Sequence, residues 1–188
     1  MASAYGAAGT ASHAITSPAN LLLAMQPIDP LTQVGHVHLK VADLDRAIQF
    51  YSEVLGFNLT QRFGNEAAFL SAGGYHHHVG LNTWMSRGGP APPRNSTGLF
   101  HAAFLYPNRQ ALANALERLM ENQYPLEGAA DHGVSEALYL SDPDGNGIEL
   151  YWDRDASEWP RSAGGELEMV TLPLDLNELL SEAAPAAS

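Results

Sequence analysis

The stretch Glu66-Ala-Ala-Phe-Leu-Ser71 returns seventy residues later as Glu136-Ala-Leu-Tyr-Leu-Ser141, and Trp84 has a counterpart in Trp152. A chain that repeats at this spacing builds one supersecondary unit twice, because a single copy cannot bury its own apolar face. The unit can be read from the first copy. Gly35-His-Val-His-Leu-Lys-Val41 alternates strictly, so Val37, Leu39 and Val41 share one face of a strand and His36, His38 and Lys40 the other. A helix follows, capped by Asp43, with Leu44, Ile48, Tyr51 and Leu55 as its apolar stripe and Gly56 as its stop. Strands near 57–63, 66–71 and 76–84 are separated by Gly64-Asn65 and Gly73-Gly74.

Beyond a loop holding Pro90, Pro92 and Pro93 the order recurs. A strand over 99–106 leads to a helix opened by Pro107-Asn108, with Leu112, Leu116 and Leu119 or Met120 on its apolar face. Strands near 126–134, 136–141 and 147–152 follow, the last two joined by the turn Asp142-Pro-Asp-Gly145. The expected fold is therefore α+β, two tandem βαβββ modules whose mixed sheet curls into a half-open barrel around a metal cavity. Residues 1–31 read as a flexible leader, and 32–155 as the domain, with modules at about 33–85 and 98–153. Residues 156–188 read as an extension with a short amphipathic helix near 175–182, packed on the domain or on a second subunit.

Composition removes whole classes of chemistry. The 188 residues contain no cysteine, which excludes disulfides and thiolate chemistry, and carry a formal charge of −12, which speaks against nucleic acid and anionic membranes as partners. The leader has no positive charge and its apolar run, Leu21 to Met25, is too short for a signal core or a membrane span, so a cytoplasmic location is expected. Seven of the eight histidines fall between residues 36 and 132.

The apolar strand faces must meet the helices, so the polar faces line the cavity. Parity then selects His36 or His38 from the first strand and His101 from the fifth, opposite Phe100, Ala102 and Phe104. From the eighth strand it selects Glu149 and Tyr151, opposite Ile148, Leu150 and Trp152. Two imidazoles and a carboxylate facing one cavity form the ligand set typical of non-haem Fe(II) oxygenases, which leaves coordination positions open. His36, His101 and Glu149 are the expected ligands, with His38 the alternative to His36 one register away. In Tyr75-His-His-His-Val-Gly-Leu-Asn-Thr-Trp84 the same parity turns His76, His78, Asn82 and Trp84 to the cavity and leaves His77 to local hydrogen bonds.

The runs Gly35 to Phe57 and Asp142-Pro-Asp-Gly-Asn-Gly-Ile-Glu-Leu-Tyr151 resemble the vicinal oxygen chelate superfamily of glyoxalase I, bleomycin-resistance proteins and type I extradiol dioxygenases. The resemblance covers roughly 33–155 and implies the same ligands, His36, His101 and Glu149. Glyoxalase-type members add a glutamate on the fourth strand, where this chain has Val79-Gly80-Leu81. The run His132-Gly-Val-Ser-Glu-Ala-Leu-Tyr139 is similar to the extradiol segment that carries a histidine and a tyrosine beside the metal. The resemblance thus implies His132 bonded to substrate or oxygen, Tyr139 at the catecholate oxygen, and a cavity histidine, His78 or His76, as acid and base.

The expected activity is extradiol, catechol 2,3-dioxygenase-like ring cleavage, with a small catechol-like aromatic and O₂ as partners. Fe(II) is the expected metal; Mn(II), Co(II), Ni(II) or Zn(II) also suit the set. A glyoxalase-type isomerase or lyase, and a ligand-binding protein of the bleomycin-resistance kind, are the alternatives. One module pair leaves the cleft open on one side, and the stripe Leu174, Leu176, Leu179 and Leu180 needs cover, so a homodimer is expected.

Overall fold

The computed structural model describes residues 27–93 and 95–184. The chain divides into two units, Met1–Val34 and Gly35–Ser188. Most of the expected leader, residues 1–26, lies outside the described residues. What is described of that first unit is a short turn held by Asp29, whose carboxylate accepts from the Leu31 amide at 2.9 Å.

The second unit runs β1 (Val37–Lys40), α1 (Leu44–Gln49), β2 (Asn58–Phe63), β3 (Ala67–Ser71) and β4 (Val79–Asn82). The same order then recurs as β5 (Ala102–Leu105), α2 (Arg109–Glu121), β6 (Gly128–Asp131), β7 (Ser135–Ser141) and β8 (Gly147–Asp153). Asp43 caps α1 by accepting from the Arg46 amide at 3.1 Å, and the helix continues as a π-helical turn over Phe50–Val54. Asn108 caps α2 in the same way, at 2.8 Å from the Ala111 amide. Two mixed sheets result, ordered β1-β4-β3-β2 and β5-β8-β7-β6 plus one further strand, and neither closes into a barrel. No described helix is long and apolar enough to cross a membrane.

Side-chain parity runs as the alternation requires. Leu39, Val41, Leu70, Val79 and Leu81 of the first sheet are buried, as are Leu138, Leu140, Ile148 and Leu150 of the second, all against Leu44, Ala47, Leu112, Leu116 and Leu119 of the helices. The modules interlock through the Asp142–Gly145 turn, which the sequence marked only as a turn. Tyr51, fully buried, donates its hydroxyl proton to Asp142 at 3.1 Å, and burial first, Asp142 second, push its ionisation well above the ordinary tyrosine value. Asp144 accepts from the Ala42 amide at 3.1 Å and from the Arg46 guanidinium at 2.6 Å. Phe50 packs on Tyr124 and Phe57 on Phe104, with ring centroids 4.8 and 5.1 Å apart.

Two expectations are corrected. β4 begins at Val79, not near residue 76, and β5 at Ala102, not near 99, so His76–His78 and His101 lie in the approaches to strands. Phe100 is 88% exposed, because it precedes the strand whose parity would have turned it inward. The tail, expected on the domain or on a second subunit, packs on the domain. Its helix, α3 (Leu176–Ser181), packs on α2 of the same chain with Leu179 fully buried, and Leu174, Leu176 and Leu180 half-buried around it. Ahead of α3, β9 (Leu172–Pro173) pairs antiparallel with β6, adding a fifth strand to the second sheet.

Candidate metal centre

Glu149 sits mid-way along β8, directly opposite Tyr139 on β7 and Ala103 on β5. The small side chain at 103 leaves room above the sheet, and Gly147 lets the β5 approach lie directly on β8. A Cβ at 147 would stand 3.2 Å from His101 Cα and closer still to the Phe100 carbonyl oxygen. That close approach brings His101 Nε2 to 2.9 Å from Glu149 Oε2. The other carboxylate oxygen, Oε1, accepts from the Tyr139 hydroxyl at 3.0 Å, and Tyr139 is 2.7 Å from His132 Nε2. Four side chains, from two strands, the approach to a third and one turn, thus form one chain: His101, Glu149, Tyr139, His132.

Charge on this face is one-sided. Asp153, four residues beyond Glu149 on the same side of β8, is held above the ordinary carboxylate value by partial burial and then by Glu149. Tyr151 is raised by burial and then by Asp153 and Glu149. Tyr139 is pushed up to about 12 by burial and by the hydrogen bond and charge of Glu149. Burial is the larger cause in all three, and the negative charge of Glu149 adds to each, a contribution that a cation would relieve.

The donors suit such a cation. Two ligand atoms in neighbouring positions around a divalent ion, each at about 2.1 Å, stand ~3 Å apart, and His101 Nε2 and Glu149 Oε2 have that spacing. His101 Nδ1 is buried without a partner among the described residues, so the neutral ring carries its proton on Nε2, facing the carboxylate. A metal ion held by this pair would take the place of that proton.

His36 is exposed and lies just before β1, outside this pair. Among the described residues no three His, Asp or Glu side chains are gathered closely enough to hold an ion. Strand register nonetheless relates the two halves. Val37 pairs with Val79 and His38 with Gly80 in the first module, as Ala102 pairs with Ile148 and Ala103 with Glu149 in the second. His36 is therefore the positional equivalent of His101, and His38 the equivalent of Ala103. Gly80 occupies the place of Glu149, and the ring of His38 lies over it, 3.0 Å from where a Cβ would be. His38 also packs on Trp84 and Phe69, with centroids 5.6 and 6.1 Å apart.

The triple histidine divides its duties differently from the parity reading. His78 is fixed locally: its Nδ1 accepts from the Ala72 amide at 3.2 Å, lies 3.1 Å from Ser71 Oγ, and its ring sits between Phe57 and Tyr75. His77, expected to be the local one, has its ring 4.5 Å from that of His36. The signal for His77 was the pairing of the strand approaches: Val37 N donates to His78 O at 3.0 Å, which sets the residues flanking that bond side by side. His76 stacks on Tyr75 at 4.0 Å and its Nδ1 stands 2.7 Å from His77 Nδ1, so one hydrogen bridges the two rings. Partial desolvation and then the charge of His36 lower the His77 pKa.

Residues 33–150 match the family model of the Glyoxalase/Bleomycin resistance protein/Dioxygenase superfamily. The chain belongs to this superfamily. Among curated members it is 43% identical over 159 residues to a catechol-2,3-dioxygenase of Bacillus subtilis, covering 85% of this chain and 55% of the relative. It is 33% identical to biphenyl-2,3-diol 1,2-dioxygenase 3 of Rhodococcus globerulus, covering 66% and 65%. The chain thus spans between half and two-thirds of the length of these curated relatives. A glyoxalase/dioxygenase crystal structure from Nostoc punctiforme shares the fold, with a TM-score of 0.54 at 21% identity over 76% of this chain and 98% of that one.

Proposed function

We propose that the protein is an extradiol-type dioxygenase that opens the ring of a small catechol-like substrate with O₂, using a divalent metal held by His36, His101 and Glu149. The observation that carries this reading is the chain His101–Glu149–Tyr139–His132, with contacts of 2.9, 3.0 and 2.7 Å. The relatives named as dioxygenases of catechol and biphenyl-2,3-diol support the substrate class. The bare backbone at Gly80, where a fourth carboxylate would stand, argues against a glyoxalase-type reaction.

When bound, the metal supplies the positive charge that holds two adjacent substrate oxygens and favours their ionised form; Fe(II) is our first choice. Glu149 contributes the anionic ligand, and Tyr139, protonated far above neutral pH, donates to it and fixes its orientation. His77, beside His36 and with a lowered pKa, is neutral at pH 7 and able to take a proton from a substrate hydroxyl and return it. His78, already accepting from Ala72, is committed elsewhere. Phe69 and Trp84 offer flat apolar walls beside His38. We further propose a homodimer, argued below from the sheet edges.

The test is metal analysis of anaerobically purified protein, followed by a panel of substituted catechols monitored at the ring-fission absorbance. Stoichiometric Fe(II) with ring-fission product is expected. Protein loaded with Fe(II) that cleaves no member of the panel would overturn the activity.

A further inference from the structure

The segment around Val170 lies outside the residues that match the family, yet it is bonded to the turn that carries His132. The Val170 amide donates to the His132 carbonyl at 3.1 Å, and the Val170 carbonyl oxygen is 2.9 Å from His132 Nδ1. Thr171 Oγ1 is 3.4 Å from the same nitrogen, and the next two residues form β9 against Asp131 and Ala130. Gly133 makes this docking feasible. Its φ of +75° favours glycine, and a Cβ there would stand 2.9 Å from Pro160 Cγ and 3.2 Å from Val170 Cγ2. The tail therefore grips both the backbone and the ring of His132.

A backbone carbonyl only accepts, so this contact places a proton on His132 Nδ1 and directs Nε2 at the Tyr139 hydroxyl. We propose that Val170 is a positioning residue of the metal centre. Its carbonyl fixes the tautomer and orientation of His132, whose unprotonated Nε2 then shares with Glu149 the single proton of the Tyr139 hydroxyl. The catalytic part of this inference rests on the function proposed above; the positioning part does not.

The experiment compares wild type, Val170→Ala, Val170→Pro and Gly133→Ala in the full chain. Imidazole ¹⁵N shifts, assigned by the signals lost in His132→Ala, report the tautomer. Wild type and Val170→Ala, which keeps both backbone bonds, should show His132 protonated at Nδ1. Val170→Pro, which removes the donated amide, and Gly133→Ala, which pushes Val170 away, should show a mixture of tautomers. In both, kcat should fall about 10- to 100-fold with KM and metal content close to wild type. Thermal unfolding identifies folded variants, and if Val170→Pro does not fold, Gly133→Ala carries the test. A wild-type His132 protonated at Nε2 overturns the proposal outright, as does an unchanged tautomer in every folded variant. Should wild type bind no metal and turn over no catechol, the proposed function falls while the tautomer measurement still decides the positioning.

Discussion

Glu149 and Glu136 sit on strands that pair with one another, yet their surroundings assign them opposite work. Glu136 is buried and fully occupied, with Arg109 at 2.8 Å and Arg154 at 2.9 Å. Arg154 keeps Asp131 and Arg109 keeps Glu178 and Glu182, so Glu136→Gln should lose about 1.5–3 kcal/mol of stability in urea unfolding while retaining metal. Glu149→Gln should do the reverse, with metal content falling sharply in elemental analysis and modest change in stability. The histidines divide in the same way. His77→Ala should abolish most turnover with metal retained, whereas His78→Ala should cost about 1–2 kcal/mol through the lost bond to Ala72 and leave ring cleavage measurable. Tyr139 is testable by ultraviolet titration: the phenolate signal that Tyr139→Phe removes should appear near pH 12, with none of it at pH 9.

The elements were legible wherever a periodic pattern ran long enough. α1, α2, β7 and β8 were readable because alternation or an i, i+4 stripe covers the whole element and a capping residue marks its start. Parity pointed to Glu149 on β8, but His101 lies just before β5, so the close approach over Gly147, and not alternation, brings the two together. The histidine triplet was not legible either, because parity has no meaning in the bends before β4, where aromatic stacking and one backbone bond decide which ring turns where. The role of the tail was hidden as well: a two-residue strand such as β9 leaves no period to read, and its partner is about forty residues upstream. What the sequence did show there was the leucine stripe of α3. Its centre, Leu179, is fully buried on α2, so Leu179→Ala should cost about 2–5 kcal/mol and loosen β9 with it.

At the scale of the whole molecule, acid stability has an identifiable contributor. Asp131 is partly buried, which raises its pKa, but Arg154 and the Gly133 amide outweigh that and hold it below its ordinary 3.8. A carboxyl lowered in the folded state adds stability that is complete above the unfolded value and is lost as pH falls through the folded one. Asp131→Asn should therefore be less stable than wild type at pH 7 and converge with it below pH 3.8, as thermal melts across that range would show. Assembly depends on the edges. The second sheet ends in β9, two residues long and containing proline, a poor template for any further strand. The first ends in β2, six residues exposed throughout, with Leu59 and Phe63 uncovered. Leu59→Lys with Phe63→Glu should convert a dimer to a monomer in sedimentation equilibrium, and a monomeric wild type would remove the assembly proposal.

The short β9 has a consequence for growth as well as for chemistry. Two copies paired β2 against β2 would be related by a twofold axis. Such a union would use up the β2 edge of both partners, so growth along that edge would stop at two.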